Sequence, residues 1–262
     1  MENEFNEHYK KSLLRLALFI GELMLTNGAE TFRVEDTILR ICNSRGFNHI
    51  NVFASPTVII IADYRFDGYS FMKTIKARSI DLNKISLLNS FSRKFVANKD
   101  INLTDAMKEL KSLSSITCYP PLVTYLSTGI GSAFFACLLG GNNIPNFFST
   151  FITSILAVKK KKKIMKFSSI SAFSSLAAST FIALVGLILT QLNIIGSPTT
   201  LIVGSIMPLL PGVSFIKGIR DLISGDLISG VARGFDACVT AVSIAGGVGI
   251  ILNIWISLGG KL

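Results

Sequence analysis

Phe167 to Ile216 reads FSSISAFSSLAASTFIALVGLILTQLNIIGSPTTLIVGSIMPLLPGVSFI, fifty residues without one Asp, Glu, Lys or Arg. A helix or strand on the surface of a water-soluble protein shows one polar face and interrupts such a run every few residues. The stretch is therefore read as embedded in a bilayer. Two further uncharged stretches flank it, Tyr119 to Val158 with 40 residues and Ala237 to Gly260 with 24. Turn residues cut the three into about five transmembrane helices, 119–140, 144–158, 167–190, 198–216 and 235–258. Four of these are close to the ~20 residues that a hydrocarbon core of ~30 Å requires. The second, with 15 residues, is short.

The charges are concentrated elsewhere. The chain carries a net +10 from 26 Lys+Arg and 16 Asp+Glu, yet its mean hydropathy is +0.54. Residues 1–118 account for 16 basic and 13 acidic side chains, or +3, and residues 119–262 for 10 and 3, or +7. The second excess comes chiefly from Lys159–Lys163 and Lys166, then Lys217, Arg220 and Arg233, whereas 140–144 and 191–197 hold no Lys or Arg. Basic loops stay on the cytoplasmic side, which places the N-terminus and both basic segments in the cytoplasm and the C-terminus outside. Glu2, Glu4 and Glu7 occupy the region that a signal peptide would keep basic, so none is expected. The five consecutive lysines lack interleaved aromatics, and anionic lipid headgroups rather than nucleic acid explain them.

Residues 1–118 read as an α+β cytoplasmic domain and 119–262 as the transmembrane domain. Leu13, Leu16, Ala17, Ile20, Leu23 and Met24 recur at helical spacing and stop at Asn27-Gly28; a second helix is expected from about Thr31 to Arg45. Ile50–Ala54 and Thr57–Tyr64 read as strands, Asp67-Gly68 as a turn, and the alternation through Phe71, Lys73, Ile75 and Ala77 as a weaker third strand. Amphipathic helices around 82–95 and 103–113 complete an α-α-β-β-β-α-α order. Cys42, Cys118, Cys137 and Cys238 are scattered, which suits buried small residues better than a disulfide framework or zinc site.

Chemistry is expected around the fourth span. Pro208 and Pro211, with Gly212 following, remove backbone donors and break the helix. Broken helices can line a cavity and offer backbone groups to a substrate. Arg220, Asp221, Asp226 and Arg233 follow directly; carboxylates at a membrane edge can carry protons or pair with the arginines. The serines of Ser168–Ser179 and the glycines of the spans are assigned to close helix packing. At the start of the second helix, Glu30 and Glu35 are accounted for by the helix dipole. No P-loop, nucleophile elbow, dinucleotide fingerprint or metal-spaced His/Cys set occurs, so neither a catalytic residue nor a cofactor is assigned.

Asn27-Gly-Ala-Glu-Thr-Phe-Arg-Val-Glu35, Asn51-Val-Phe-Ala-Ser-Pro-Thr57, and Pro211-Gly212 with Arg220-Asp221, Gly225-Asp226, Gly230 and Arg233 resemble the threonine/serine exporter family. The resemblance covers nearly the whole chain and is nearest to the larger, five-span subunit of the family's split form. It implies secondary export of threonine and serine, or of succinate and related dicarboxylates, across a bacterial inner membrane, driven by the proton gradient. It also implies a second, smaller membrane subunit as partner, with a second copy of this chain as a further candidate neighbour. Pro208, Pro211, Gly212, Arg220, Asp221, Asp226 and Arg233 are the substrate-binding or coupling candidates. A membrane-tethered hydrolase acting on small amides or peptides is the competing reading, since 118 residues make a whole domain; a regulatory or assembly module is preferred to it.

Overall fold

The apolar positions between Leu13 and Met24 lie on one side of a helix that starts well before them. A computed structural model describes residues 2–65, 68–76, 79–116, 119–168 and 170–260, with side chains from Glu7 onward. Asp67 of the expected turn, Ala77 of the expected strand, Ser169 of the serine-rich run and Cys118 lie outside the described residues. The chain forms two compact units, Met1–Cys118 with Ile216–Arg233, and Tyr119–Phe215 with Gly234–Leu262.

In the first unit, α1 (Glu2–Thr26) and α2 (Thr31–Ser44) precede an antiparallel sheet of β1 (Ile50–Ala54), β2 (Val58–Asp63) and β3 (Ser70–Thr74), in the order β1-β2-β3. Val52 faces Ile61, and Ile60 faces Met72. Two helices close it, α3 (Leu82–Ala97) and α4 (Leu103–Ser115). Alternation along β2 sends Ile59 and Ile61 into a core with Leu13, Leu16 and Ile20 of α1, Ile38 and Ile41 of α2, Phe95 of α3 and Leu110 of α4. Polar residues ahead of Leu13 continue α1 because helix formers need no apolar stripe; Lys11 and Glu7 add an i,i+4 pair at 2.8 Å. Burial pushes the Cys42 thiol up to about 12. Cys42 thus fits the reading as a small core residue, but Cys137 is half-buried and Cys238 exposed.

The second unit is helical. It holds α5 (Pro121–Leu138), α6 (Ile144–Ser168), α7 (Ser171–Gln191) and α8 (Pro198–Ile206), followed by a 3₁₀ turn at Met207–Leu209. Two helices cross the division between the units, α9 (Gly212–Ile223) and α10 (Leu227–Ser257). Pro121–Leu138, Ser171–Gln191 and Leu227–Ser257 are long and apolar enough to cross a membrane, and Pro198–Leu209 with Gly212–Ile223, bent by 53°, brings the number to four among the described residues. The expected second span and the lysine run after it form one helix, α6, because lysine is a good helix former and nothing in the run breaks the ladder. Its uncharged part ends at Val158.

Small residues set the helix spacing. A Cβ on Gly204 of α8 would stand 2.7 Å from the Ala136 Cβ, 3.0 Å from the Ser132 carbonyl and 3.1 Å from Thr150 Cγ2, so α5, α6 and α8 meet there with no room for a side chain. Gly204→Val should destabilise the protein by about 1–3 kcal/mol, the usual cost of overpacking. Gly131→Ala, which adds a methyl where nothing lies within 4 Å, should be silent. Thermal unfolding of the full chain in detergent tests both; equal melting temperatures for the two variants would contradict the packing.

Asp63, at the end of β2, is buried and takes the Arg65 guanidinium (Nη2–Oδ2 2.6 Å) and the Lys10 ammonium. Hydrogen bonding from Arg65 is the largest influence and, with Lys10, holds the carboxyl well below the usual carboxylate range although burial opposes it. A depressed native pKa supplies stability that is complete above the ordinary value of ~4 and is lost as the pH falls through the native one. Asp63→Asn should lower the melting temperature at neutral pH and flatten the decline below pH ~4. An unchanged acid limb in the variant would refute this role.

Candidate functional site

Two helix ends build the site. The first is the exit of α1: Gly28 takes φ 89°, a left-handed conformation that suits glycine, and the Ala29 N–H returns to the Met24 carbonyl at 2.9 Å while the Gly28 N–H reaches Leu25 at 3.1 Å. A Cβ at Gly28 would also lie 3.0 Å from the Ser79 carbonyl. The turn is tied down further by the Ser79 N–H on Thr26 O (2.8 Å), the Asp81 N–H on Asn27 O (3.0 Å) and the Asn27 amide on Leu23 O (2.7 Å). Glu30 holds the N-cap position of α2, but its side chain caps nothing. It points instead at guanidinium groups.

The second end is that of α9, whose Gly225 has φ 87° and whose Asp226 N–H returns to the Asp221 carbonyl at 2.8 Å. Lys217, Arg220 and Asp221 share a face of α9 at helical spacing. Asp226 precedes α10, and Arg233 lies two turns into it. This hairpin, residues 216–233, belongs to the same unit as the N-terminal domain.

Side chains join the two ends. Arg220 Nη1 donates to Glu30 Oε1 at 2.6 Å, and Arg33 Nε approaches Glu30 Oε2 at 2.8 Å. Arg233 Nε pairs with Asp221 Oδ2 at 3.0 Å while its Nη2 donates to the Ala29 carbonyl at 3.1 Å. Lys217 Nζ donates to the Gly28 carbonyl, and the Thr31 hydroxyl to Asp226 Oδ2. Asp221 and Thr31 are fully buried, and Ala29, Glu30 and Arg233 nearly so. Behind them Glu35 Oε1 accepts the Ala54 N–H at 2.7 Å. Burial raises the Glu35 pKa; the Ala54 bond works against the rise and the nearby Asp226 charge adds to it.

Four of the seven candidates, Arg220, Asp221, Asp226 and Arg233, are thus brought together. Pro208, Pro211 and Gly212 are not: Pro208 sits in the 3₁₀ turn, Pro211 at the break and Gly212 at the first position of α9, all in the second unit. The turn Gly28–Thr31 and Lys217 were missed by the sequence reading, which had assigned Glu30 to the helix dipole. The available signal was the opposite net charge of two charged segments, 27–35 and 216–233. Chemically, four cations (Arg33, Lys217, Arg220 and Arg233) and three acids (Glu30, Asp221 and Asp226) in one cluster can hold a carboxylate, or exchange one carboxylate for another. Among the described residues no group of His, Cys, Asp and Glu is arranged to hold a metal.

Residues 15–255 match the family described as "Putative threonine/serine exporter". The chain is 24% identical over 257 residues to "Probable succinate transporter subunit YjjP" of Escherichia coli (strain K12), covering 94% of this chain and 96% of that protein. A protein of the same description from Klebsiella aerogenes is 22% identical over 250 residues, with 94% and 95% covered. The "Probable threonine/serine exporter" of Mycobacterium tuberculosis is 22% identical over 258 residues, 94% of this chain but 46% of that longer protein. No solved structure matches. Since the family match runs from Arg15 in α1 to Trp255 in α10 and takes in both sides of the cluster, the chain belongs to the threonine/serine exporter family.

Proposed function

We propose that this chain is one subunit of a secondary exporter in a bacterial inner membrane, moving small carboxylate-bearing metabolites outward with the proton gradient and working with a second, smaller membrane protein. Membership in an exporter family supports transport, and the names of the relatives supply the substrate classes, succinate or threonine and serine. The observation that carries a residue-level reading is the buried Asp221–Arg233 pair in the hairpin that follows the broken helix. Desolvating two charges costs about what their attraction returns, so such a pair is poor evidence of a purely stabilising role. In this reading Asp221 or Asp226 takes up the coupling proton, and Arg220 or Arg233 receives the substrate carboxylate. Backbone groups near Pro208, Pro211 and Gly212 line the path.

The basic end of α6 and the basic hairpin both face the cytoplasm under the positive-inside rule, with α6 counted as a fifth crossing through Ile144–Val158 and the C-terminus outside. The N-terminal domain then serves regulation or assembly rather than catalysis. The chain spans under half of the single-chain exporter of Mycobacterium tuberculosis, and a partner would supply what the remainder supplies there. An apolar groove of about 520 Å³ between α8 and α10, lined by Ile202, Ile206, Leu210, Ile244, Val248 and Leu252, is the seat proposed for it. Ala245→Trp, which fills the groove, should abolish co-purification of the partner while the chain still reaches the membrane.

Cells expressing both subunits should export at least one of succinate, threonine and serine, and collapse of the proton gradient should stop export. Asp221→Asn should lower the rate by about tenfold or more, equivalent to ~1.4 kcal/mol or more in the barrier, at unchanged membrane levels. Absence of efflux of all three compounds with both proteins in the membrane would overturn the proposal.

A further inference from the structure

Three consecutive residues of the α1–α2 turn occupy the three cations of the hairpin. Lys217 donates to the Gly28 carbonyl, Arg233 to the Ala29 carbonyl at 3.1 Å, and Arg220 to the Glu30 carboxylate at 2.6 Å. The next residue, Thr31, places its hydroxyl on Asp226. A carboxylate, two carbonyl oxygens and a hydroxyl, held by Lys, two Arg and an Asp, reproduce the groups of a small hydroxylated or dicarboxylic acid.

We infer that the turn Gly28–Thr31 is a built-in competitor for the substrate: it occupies the hairpin's carboxylate-binding cations in this state, and a carboxylate-bearing ligand releases the hairpin from it. The inference rests on the exporter reading above and names the regulation of the same cluster. Three observations favour competition over a permanent brace. Lys217 and Arg233 meet the turn itself through neutral carbonyls, which a charged carboxylate outbids because charge-assisted hydrogen bonds are the stronger kind, while Arg233 keeps its separate pair with Asp221. The Arg220 side chain is 56% exposed, so a dissolved carboxylate can reach its guanidinium although Glu30 itself is nearly buried. The turn is fastened to its own domain by main-chain hydrogen bonds from Gly28, Ala29, Ser79 and Asp81, whereas the contacts that join it to the hairpin all run through side chains. The hairpin is therefore the part free to leave.

Export by the full chain with its partner should be measured against internal concentrations of succinate, threonine and serine. Glu30→Gln should lower the apparent KM about threefold or more, since removing the occupant raises the binding-competent fraction. Arg220→Gln should raise it, and the exchanged pair Glu30→Arg with Arg220→Glu should stay defective. Recovery of wild-type kinetics in the exchanged pair, or no fall in KM for Glu30→Gln, would overturn the inference while leaving the exporter reading intact. A wild-type complex that exports none of the three overturns that reading instead. Hydrogen exchange on the unmodified complex needs no variant: the amides of 217–226 should exchange faster when the exported compound is added, and unchanged or slower exchange would refute release.

Discussion

Hydrocarbon offers no partner to a bare charge or an unpaired backbone group, and the placement of the charged side chains along the apolar helices follows from that constraint. α10 runs for 31 residues, yet its charged residues, Arg233 and Asp236, both lie in its first third. The six lysines of α6 gather at its C-terminal end. Several hydroxyls in the apolar part bond within their own helices: Thr150 to the Asn146 carbonyl, Ser174 to Ser171, Ser179 to Leu176 and Thr190 to Gly186, each between 2.8 and 2.9 Å. Such back-bonding satisfies the hydroxyl donor without a partner from outside the helix.

The hairpin of α9 and α10 is where the constraint reverses. Charges excluded from the apolar helices are gathered there and covered by a domain that has acceptors to give. Asp221 is fully buried, so its charge requires the Arg233 guanidinium across the Gly225 turn. That pair fixes the register of α9 against α10 within the hairpin, and Arg233 then carries the register to Ala29. A segment that looks from composition like a short basic loop is in this way grouped with the N-terminal unit in the state described.

How much of this was legible follows from the range of each signal. Periodicity and breakers act over a few residues, so the seven elements of the N-terminal domain, the break at Pro211 and the uncharged helices could be read directly, with ends shifted where polar helix formers extended α1 or strand residues fell outside the ladder. The lysine run was expected as a loop because charge was taken as a boundary, whereas helix propensity continued through it to Ser168. The number of crossings is less legible still: α6 combines an apolar part too short for comfort with a basic part, and composition does not say where the bilayer surface falls along it.

The cluster was only half visible for a different reason. Its partners are separated by about 190 residues, beyond any local signal. Charge counting does offer a hint: Asn27–Glu35 holds Glu30 and Glu35 against Arg33, or −1, while Ile216–Arg233 holds Lys217, Arg220 and Arg233 against Asp221 and Asp226, or +1. The two segments are complementary, yet so are many other pairs of segments in a chain with 26 basic and 16 acidic residues. What singles this pair out is the backbone. The carbonyls of Gly28 and Ala29 take Lys217 and Arg233 because the left-handed Gly28 turns that stretch of main chain toward the hairpin, and every residue in the sequence owns such a carbonyl. Side-chain identity could therefore point to Glu30, Arg220, Asp221, Asp226 and Arg233 as charges in need of partners, but the neutral acceptors that complete the set are specified by conformation alone.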